Sequence, residues 1–136
     1  MAFELPIQVY WEDTDAGGIV YHANYLRYFE RARTSWLRAL GIHQHDLRQR
    51  TGGMFVVSGC TLQYLSPARM DDALIASAAL QEAGRARLTL AQQAWRVNPD
   101  GSRDALCEAT VRLCWVDATT LRPARIPQEL TERLCS

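Results

Sequence analysis

Apolar and polar residues alternate at the start of the chain: Leu5, Ile7, Val9 and Trp11 are separated by Pro6, Gln8, Tyr10 and Glu12. A period of two is the pattern of a half-buried strand. The period then changes. Tyr25, Phe29, Ala32, Trp36 and Leu40 recur at helical spacing, with Arg27, Glu30, Arg31 and Arg38 on other faces, which predicts an amphipathic helix. Gly41 is suited to stop that helix, and a further turn or two is expected over His43 to Arg50. After the break at Gly52-Gly53, a β-rich run extends from Met54 to Ser66 and ends at Pro67, and Leu74, Ala76, Ala78 and Leu80 alternate in the next strand. Glu82-Ala83-Gly84 turns the chain into a strand from Arg85 to Val97, and Asn98-Pro99-Asp100-Gly101 favours a tight turn. The final strand sets Cys107, Ala109, Val111, Leu113 and Trp115 against Glu108, Thr110 and Arg112. Pro123 and Pro127 interrupt the tail, which is expected to end in a short helix from Gln128 to Leu134.

One strand, one long helix and then four strands predict an α+β fold with an antiparallel sheet, not a βαβ crossover fold. The expectation is a single domain over residues 1–136, a curved five-stranded sheet with the long helix laid across it. Such a sheet leaves an edge strand and one face in need of protection, which points to self-association. With 48% hydrophobic and 22% charged residues the chain reads as globular, not disordered. The formal net charge is zero and no arginine block is interleaved with aromatics, which points away from nucleic acid as a partner. No apolar run is long enough to span a bilayer and no signal-peptide pattern follows Met1, so a cytoplasmic location is expected. Cys60, Cys107, Cys114 and Cys135 form neither a CxxC pair nor a zinc-like spacing and read as buried, reduced thiols.

The chemistry concentrates where the period switches. Between strand and helix lie Asp13, Asp15, the Gly17-Gly18 pair, Tyr21 and His22. Acidic groups at a strand-to-helix junction sit near the free N–H groups of a helix start, which can stabilise developing negative charge. The junction therefore reads as an active site. Asp13 also fits a simple turn acceptor, Asp15 a helix cap, and His22 a loop-capping histidine. A calcium loop beginning at Asp13 would put Gly17 and Asn24 where ligands with acidic or amide side chains and a glutamate are needed. Gly17-Gly18 lacks the pattern around a dinucleotide fingerprint or a P-loop, so neither a metal nor a cofactor is expected. Cys60 as a nucleophile has nothing local to lower its pKa.

The segment from Tyr10 to His22, followed by Asn24-Tyr25 and Phe29-Glu30-Arg31-Ala32-Arg33, resembles the signature of the hot-dog-fold acyl-CoA thioesterases. The likeness is greatest to the Tol–Pal-associated, YbgC-type branch, related to the 4-hydroxybenzoyl-CoA thioesterases. Tyr64 to Asp72 matches the branch's second recognisable segment, so the resemblance covers nearly the whole chain. It implies a helix wrapped by an antiparallel sheet, homodimers or homotetramers, and active sites at the dimer interface. It implies hydrolysis of an acyl-CoA thioester, with acyl carrier protein as an alternative carrier. Asp15 then corresponds to the catalytic carboxylate, as nucleophile or general base, and His22 to the histidine beside it. An amide near Tyr21 and His22 would polarise the thioester carbonyl. Gly17, Gly18 and Tyr21 would shape the substrate loop, and Arg69 is one arginine suited to coenzyme A phosphates. The rival readings are a hot-dog dehydratase or hydratase, and a non-catalytic acyl-thioester-binding or scaffolding protein of envelope or lipid metabolism.

Overall fold

The computed structural model describes residues 2–136. In chain order the elements are β1 (Phe3–Gln8), a single 3₁₀ turn (Trp11–Asp13), α1 (Asn24–Ala39), α2 (Gln44–Thr51), β2 (Gly53–Tyr64), β3 (Ala73–Ala83), β4 (Arg87–Val97), β5 (Arg103–Asp117) and α3 (Gln128–Cys135). The strands form one five-stranded sheet in the order β1-β3-β4-β5-β2. Every neighbouring pair is antiparallel. The α+β architecture with an antiparallel sheet expected from the pattern, and the hot-dog arrangement implied by the resemblance, are observed.

Helix α1 forms where the apolar stripe predicts it, and it buries Tyr25, Tyr28, Phe29, Ala32, Trp36 and Leu37. Leu74, Ala76 and Ala78 of β3, with Leu88, Leu90 and Ala94 of β4, belong to the same core. Complete burial of a side chain such as Phe29 contributes roughly 1.5–3 kcal/mol. The helix packs on β1, β3 and β4. The inner side of β2 is more open, and Cys60 and Tyr64 are exposed there.

Two local details correct the sequence reading. The first strand stops at Gln8, and Trp11 is 79% exposed. The Asp13 carboxylate accepts the Tyr10 N–H at 2.8 Å, which curls the chain out of the sheet before Trp11 can face the core. The cysteines also divide: Cys107 and Cys114 are buried, whereas Cys60 and Cys135 are exposed, and all four are free. Burial pushes the Cys107 thiol up to about 12.

The two sheet edges differ in kind. β1 is six residues long and carries Pro6 and Glu4, both common ways to blunt an edge. β2 is twelve residues long, GMFVVSGCTLQY, with no proline and no charge. Its inner neighbour β5 bulges at Leu106, because Ala94 pairs with Cys107 while Trp95 pairs with Ala105. The bulge turns the Leu106 carbonyl toward the chain leaving β2, where it accepts the N–H groups of Leu65 at 2.8 Å and Ser66 at 3.3 Å. The segment after β2 is thereby steered toward the loop that precedes α1.

Candidate active site

The loop from Val9 to Asn24 is held from two directions. From below, the Asp13 carboxylate, 5% exposed, accepts the Tyr10 N–H at 2.8 Å and the Asn24 side-chain amide at 3.0 Å. The Asp13 carbonyl accepts the Tyr21 N–H at 2.9 Å. From the side, the Ala68–Asp72 stretch clasps the loop at both ends. Val9 and the Asp71–Asp72 backbone exchange hydrogen bonds of 3.0 and 3.1 Å, and the Val20 N–H reaches the Ala68 carbonyl at 2.8 Å. Ile19 also bridges Arg69 in antiparallel fashion. Asp72 fixes the clasp itself, accepting the Arg69 N–H at 2.8 Å and lying 3.7 Å from the Arg96 guanidinium. Arg96 donates in turn to the Pro67 carbonyl at 3.0 Å and to Asp104 at 2.8 Å. The two sequence segments singled out by resemblance are thus one structural unit.

Within that frame Thr14 to Val20 forms a tight hairpin, with Thr14 and Val20 bridged. Asp15 sits at its tip. Its N–H donates to Ile19 O and its own carbonyl accepts the Gly18 N–H, each at 3.0 Å. One carboxylate oxygen of Asp15 accepts the Gly17 N–H at 2.8 Å. The glycines have distinct reasons to be there. Gly18 has φ +78°, and a side chain on Gly17 would crowd the Asp15 carboxylate. Asp15 is not a helix cap: α1 begins at Asn24, and its N-cap is Ala23, without a side-chain bond. The turn-acceptor reading fits Asp13.

Past the hairpin the chain presents its helix start. The Tyr21 N–H is already bonded to Asp13, so it is unavailable to a ligand. The N–H groups of His22 and Ala23 have no partner among the described residues. These are orphan donors of a helix N-terminus, aimed where negative charge is welcome. The His22 ring lies 4.5 Å from Tyr21 and 6.3 Å, edge-on, from Tyr64.

A cleft of about 360 Å³ opens beside these groups, lined by Ile19, Val20, His22, Tyr25, Tyr64, Leu65, Ser66 and Pro67. Its walls are mostly apolar. Asp15 does not line the cleft but is hydrogen-bonded across the hairpin to Ile19, which does. Larger depressions of about 640 and 840 Å³ involve strands β2 to β5 and the β3–α3 side, and neither includes a histidine or the helix start. Chemistry outranks volume here. Of the residues expected at the site, Asp15, Gly17, Gly18, Tyr21 and His22 share this loop. Arg69 joins through its backbone, with its side chain exposed. Sequence reasoning missed Tyr64, Leu65, Ser66 and Pro67 as cleft walls. They were visible as part of the second segment, but nothing in their spacing marks them as facing the first.

Comparison with known proteins agrees with this arrangement. Residues 9–134 match the family model of the thioesterase-like superfamily. The acyl-CoA thioesterase YbgC of Haemophilus influenzae is 38% identical, the match covering 94% of this chain and 90% of that protein. The acyl-CoA thioester hydrolase YbgC of an Escherichia coli strain is 37% identical, with 94% and 92% covered. Among solved structures, an Asp-to-Asn mutant of a 4-hydroxybenzoyl-CoA thioesterase, complexed with 4-hydroxybenzoyl-CoA, superposes with TM-score 0.91 at 19% identity, covering 98% of each chain. The chain belongs to the thioesterase-like superfamily, in its YbgC-type branch.

Asp13 supplies a direct test of the loop's construction. Asp13→Ala orphans two N–H donors around a buried position, so it is expected to lower unfolding free energy by about 1–3 kcal/mol in urea denaturation. Unchanged stability would show that the carboxylate does not hold the loop.

Proposed function

We propose that this protein hydrolyses acyl-CoA thioesters to a free acid and coenzyme A, with Asp15 as the reacting carboxylate. The observation that carries the reading is the pairing of a fixed acidic hairpin with unbonded amides at the mouth of an apolar cleft. The acyl group occupies the cleft, and the thioester carbonyl oxygen meets the His22 N–H at the start of α1. As carbonyl carbon becomes tetrahedral, charge grows on that oxygen, and a preorganised backbone donor stabilises it more than the ground state. Asp15 acts in one of two ways. It attacks the carbon to give an acyl-carboxylate anhydride and release thiolate, after which water cleaves the anhydride. Alternatively it takes a proton from a water that attacks in its place, and the thiolate leaves as the tetrahedral intermediate collapses. Both routes need the negative charge, and neither needs a metal or prosthetic group. His22 orients the thioester, Gly17, Gly18 and Tyr21 shape the loop around it, and Arg69 meets the coenzyme A phosphates. Support for the carrier comes from the YbgC relatives, named for acyl-CoA. A Staphylococcus aureus protein of the same fold, at 17% identity, was solved in complex with coenzyme A.

The reading extends to assembly and location. The uncharged, proline-free edge of β2 and the open inner side of that strand favour a homodimer, with a homotetramer as its further pairing. Asp15 and His22 are exposed in the single chain, which suits a site completed by a second copy. A cytoplasmic location fits the four free cysteines, and Tol–Pal association rests on the resemblance of the Tyr10–His22 and Tyr64–Asp72 segments to the YbgC-type branch.

Two measurements test these statements. Incubated with a panel of short, long and aromatic acyl-CoAs, the protein is expected to release free thiol and the matching acid from at least one class. Acyl-CoA binding without thiol release would establish the scaffolding alternative, and loss or gain of water across the acyl chain would establish the dehydratase one. Light scattering at micromolar concentration is expected to give a dimer or tetramer. A stable, active monomer would overturn the assembly.

A further inference from the structure

Tyr64, a wall of the cleft, also makes a hydrogen bond at the site. The Tyr64 hydroxyl donates to the carbonyl oxygen of His22 at 2.8 Å, joining the end of β2 to the residue before the helix start. The His22 carbonyl belongs to the peptide group that carries the Ala23 N–H, which is unbonded among the described residues, so the contact restrains that donor directly and the unbonded His22 N–H through the His22 backbone. The Tyr64 ring is fixed on two sides, edge-on to His22 at 6.3 Å and tilted against Tyr25 at 5.7 Å. Tyr25 is itself buried and belongs to the core. The chain just beyond Tyr64 is tied to the β5 bulge through Leu65 and Ser66. The hydroxyl therefore transmits the rigidity of the sheet to a segment that is otherwise exposed.

We propose that Tyr64 is a positioning residue for the oxyanion site: its hydroxyl holds the His22 backbone so that the unbonded amides of His22 and Ala23 keep a fixed direction beside the cleft that His22 lines. The proposal rests on the hydrolytic reading of the site given above. A donor contributes to catalysis only when it is aimed in advance at the place where charge develops, and small misplacement is costly. A bond to the His22 carbonyl also polarises the peptide group it shares with Ala23, strengthening the Ala23 N–H. Burial and the neighbouring Cys107 and Cys60 thiols raise the Tyr64 pKa, so the phenol keeps its proton and remains a donor at neutral pH.

Tyr64→Phe removes the hydroxyl and keeps the ring that walls the cleft. Because Tyr64 is 48% exposed, the fold should tolerate it, with the thermal midpoint essentially unchanged. Expected is a fall in kcat of about 10-fold, the scale of one hydrogen bond, with KM within about 2-fold of wild type. Tyr64→Ala, which also removes the wall, should raise KM in addition. A readout independent of turnover is the carbonyl-carbon NMR resonance of His22, which should shift in Tyr64→Phe as the bond is lost. Wild-type kcat in Tyr64→Phe, a loss carried by KM alone, or an unmoved His22 carbonyl resonance would each overturn the proposal. If the wild-type protein released no thiol from any acyl-CoA, the hydrolytic reading would fail and the oxyanion role with it. The carbonyl resonance would still report whether Tyr64 holds His22.

Discussion

Everything at this site depends on the backbone clasp between the loop before α1 and the stretch from Ala68 to Asp72. Val9 is joined to Asp71 and Asp72, Ile19 to Arg69, and Val20 to Ala68. Loops on a protein surface are ordinarily mobile, and a mobile carboxylate is a poor catalyst because its alignment must be found anew in each turnover. Here a fifteen-residue excursion from the sheet is given strand-like partners at its two ends. Its floor is the buried Asp13 carboxylate, which answers donors from Tyr10 and Asn24. Asp15 can then stay exposed because its neighbours carry the structural burden.

This division between adjacent acids has an energetic logic. A buried carboxylate is stabilised by the N–H groups it accepts, and Asp13 uses its oxygens that way. Asp15 uses one oxygen to shape its own turn through Gly17, and no other protein donor reaches the carboxylate among the described residues. The same economy governs the amides. Tyr21 is bonded to Asp13, while His22 and Ala23 are left open. A helix that begins at Asn24, with Ala23 as an N-cap that makes no side-chain bond, leaves its donors to whatever enters the cleft.

Much of the fold was legible because one period dominates each element. The apolar stripe from Tyr25 to Trp36 and the inward row from Cys107 to Trp115 are both in the core, and Asn98 to Gly101 is a turn. The failures have separate causes. Trp11 continues the alternation but is exposed, because a side-chain bond from Asp13 overrides the period. Cys60 was expected inside, and it is exposed because it lies on the edge strand beyond the cover of α1. The location of the acidic hairpin and its Gly17-Gly18 pair was legible, whereas the positive φ that calls for glycine at Gly18 was not. The relation of Tyr64 to His22 was not, since the two are brought together by a bulge at Leu106 that no pattern announces.

The central claim is that the negative charge of Asp15, not merely its shape, drives the reaction. Asp15→Asn keeps the size of the side chain and an oxygen able to accept the Gly17 N–H, so the hairpin should survive. Steady-state kinetics with one acyl-CoA, on variant protein shown to be folded and assembled as wild type, tests the claim most directly. The account predicts a fall in kcat of at least ~100-fold, the lower end for loss of a general base, with a far smaller change in substrate affinity. Near-native turnover in folded Asp15→Asn would contradict it and move the chemistry to another residue.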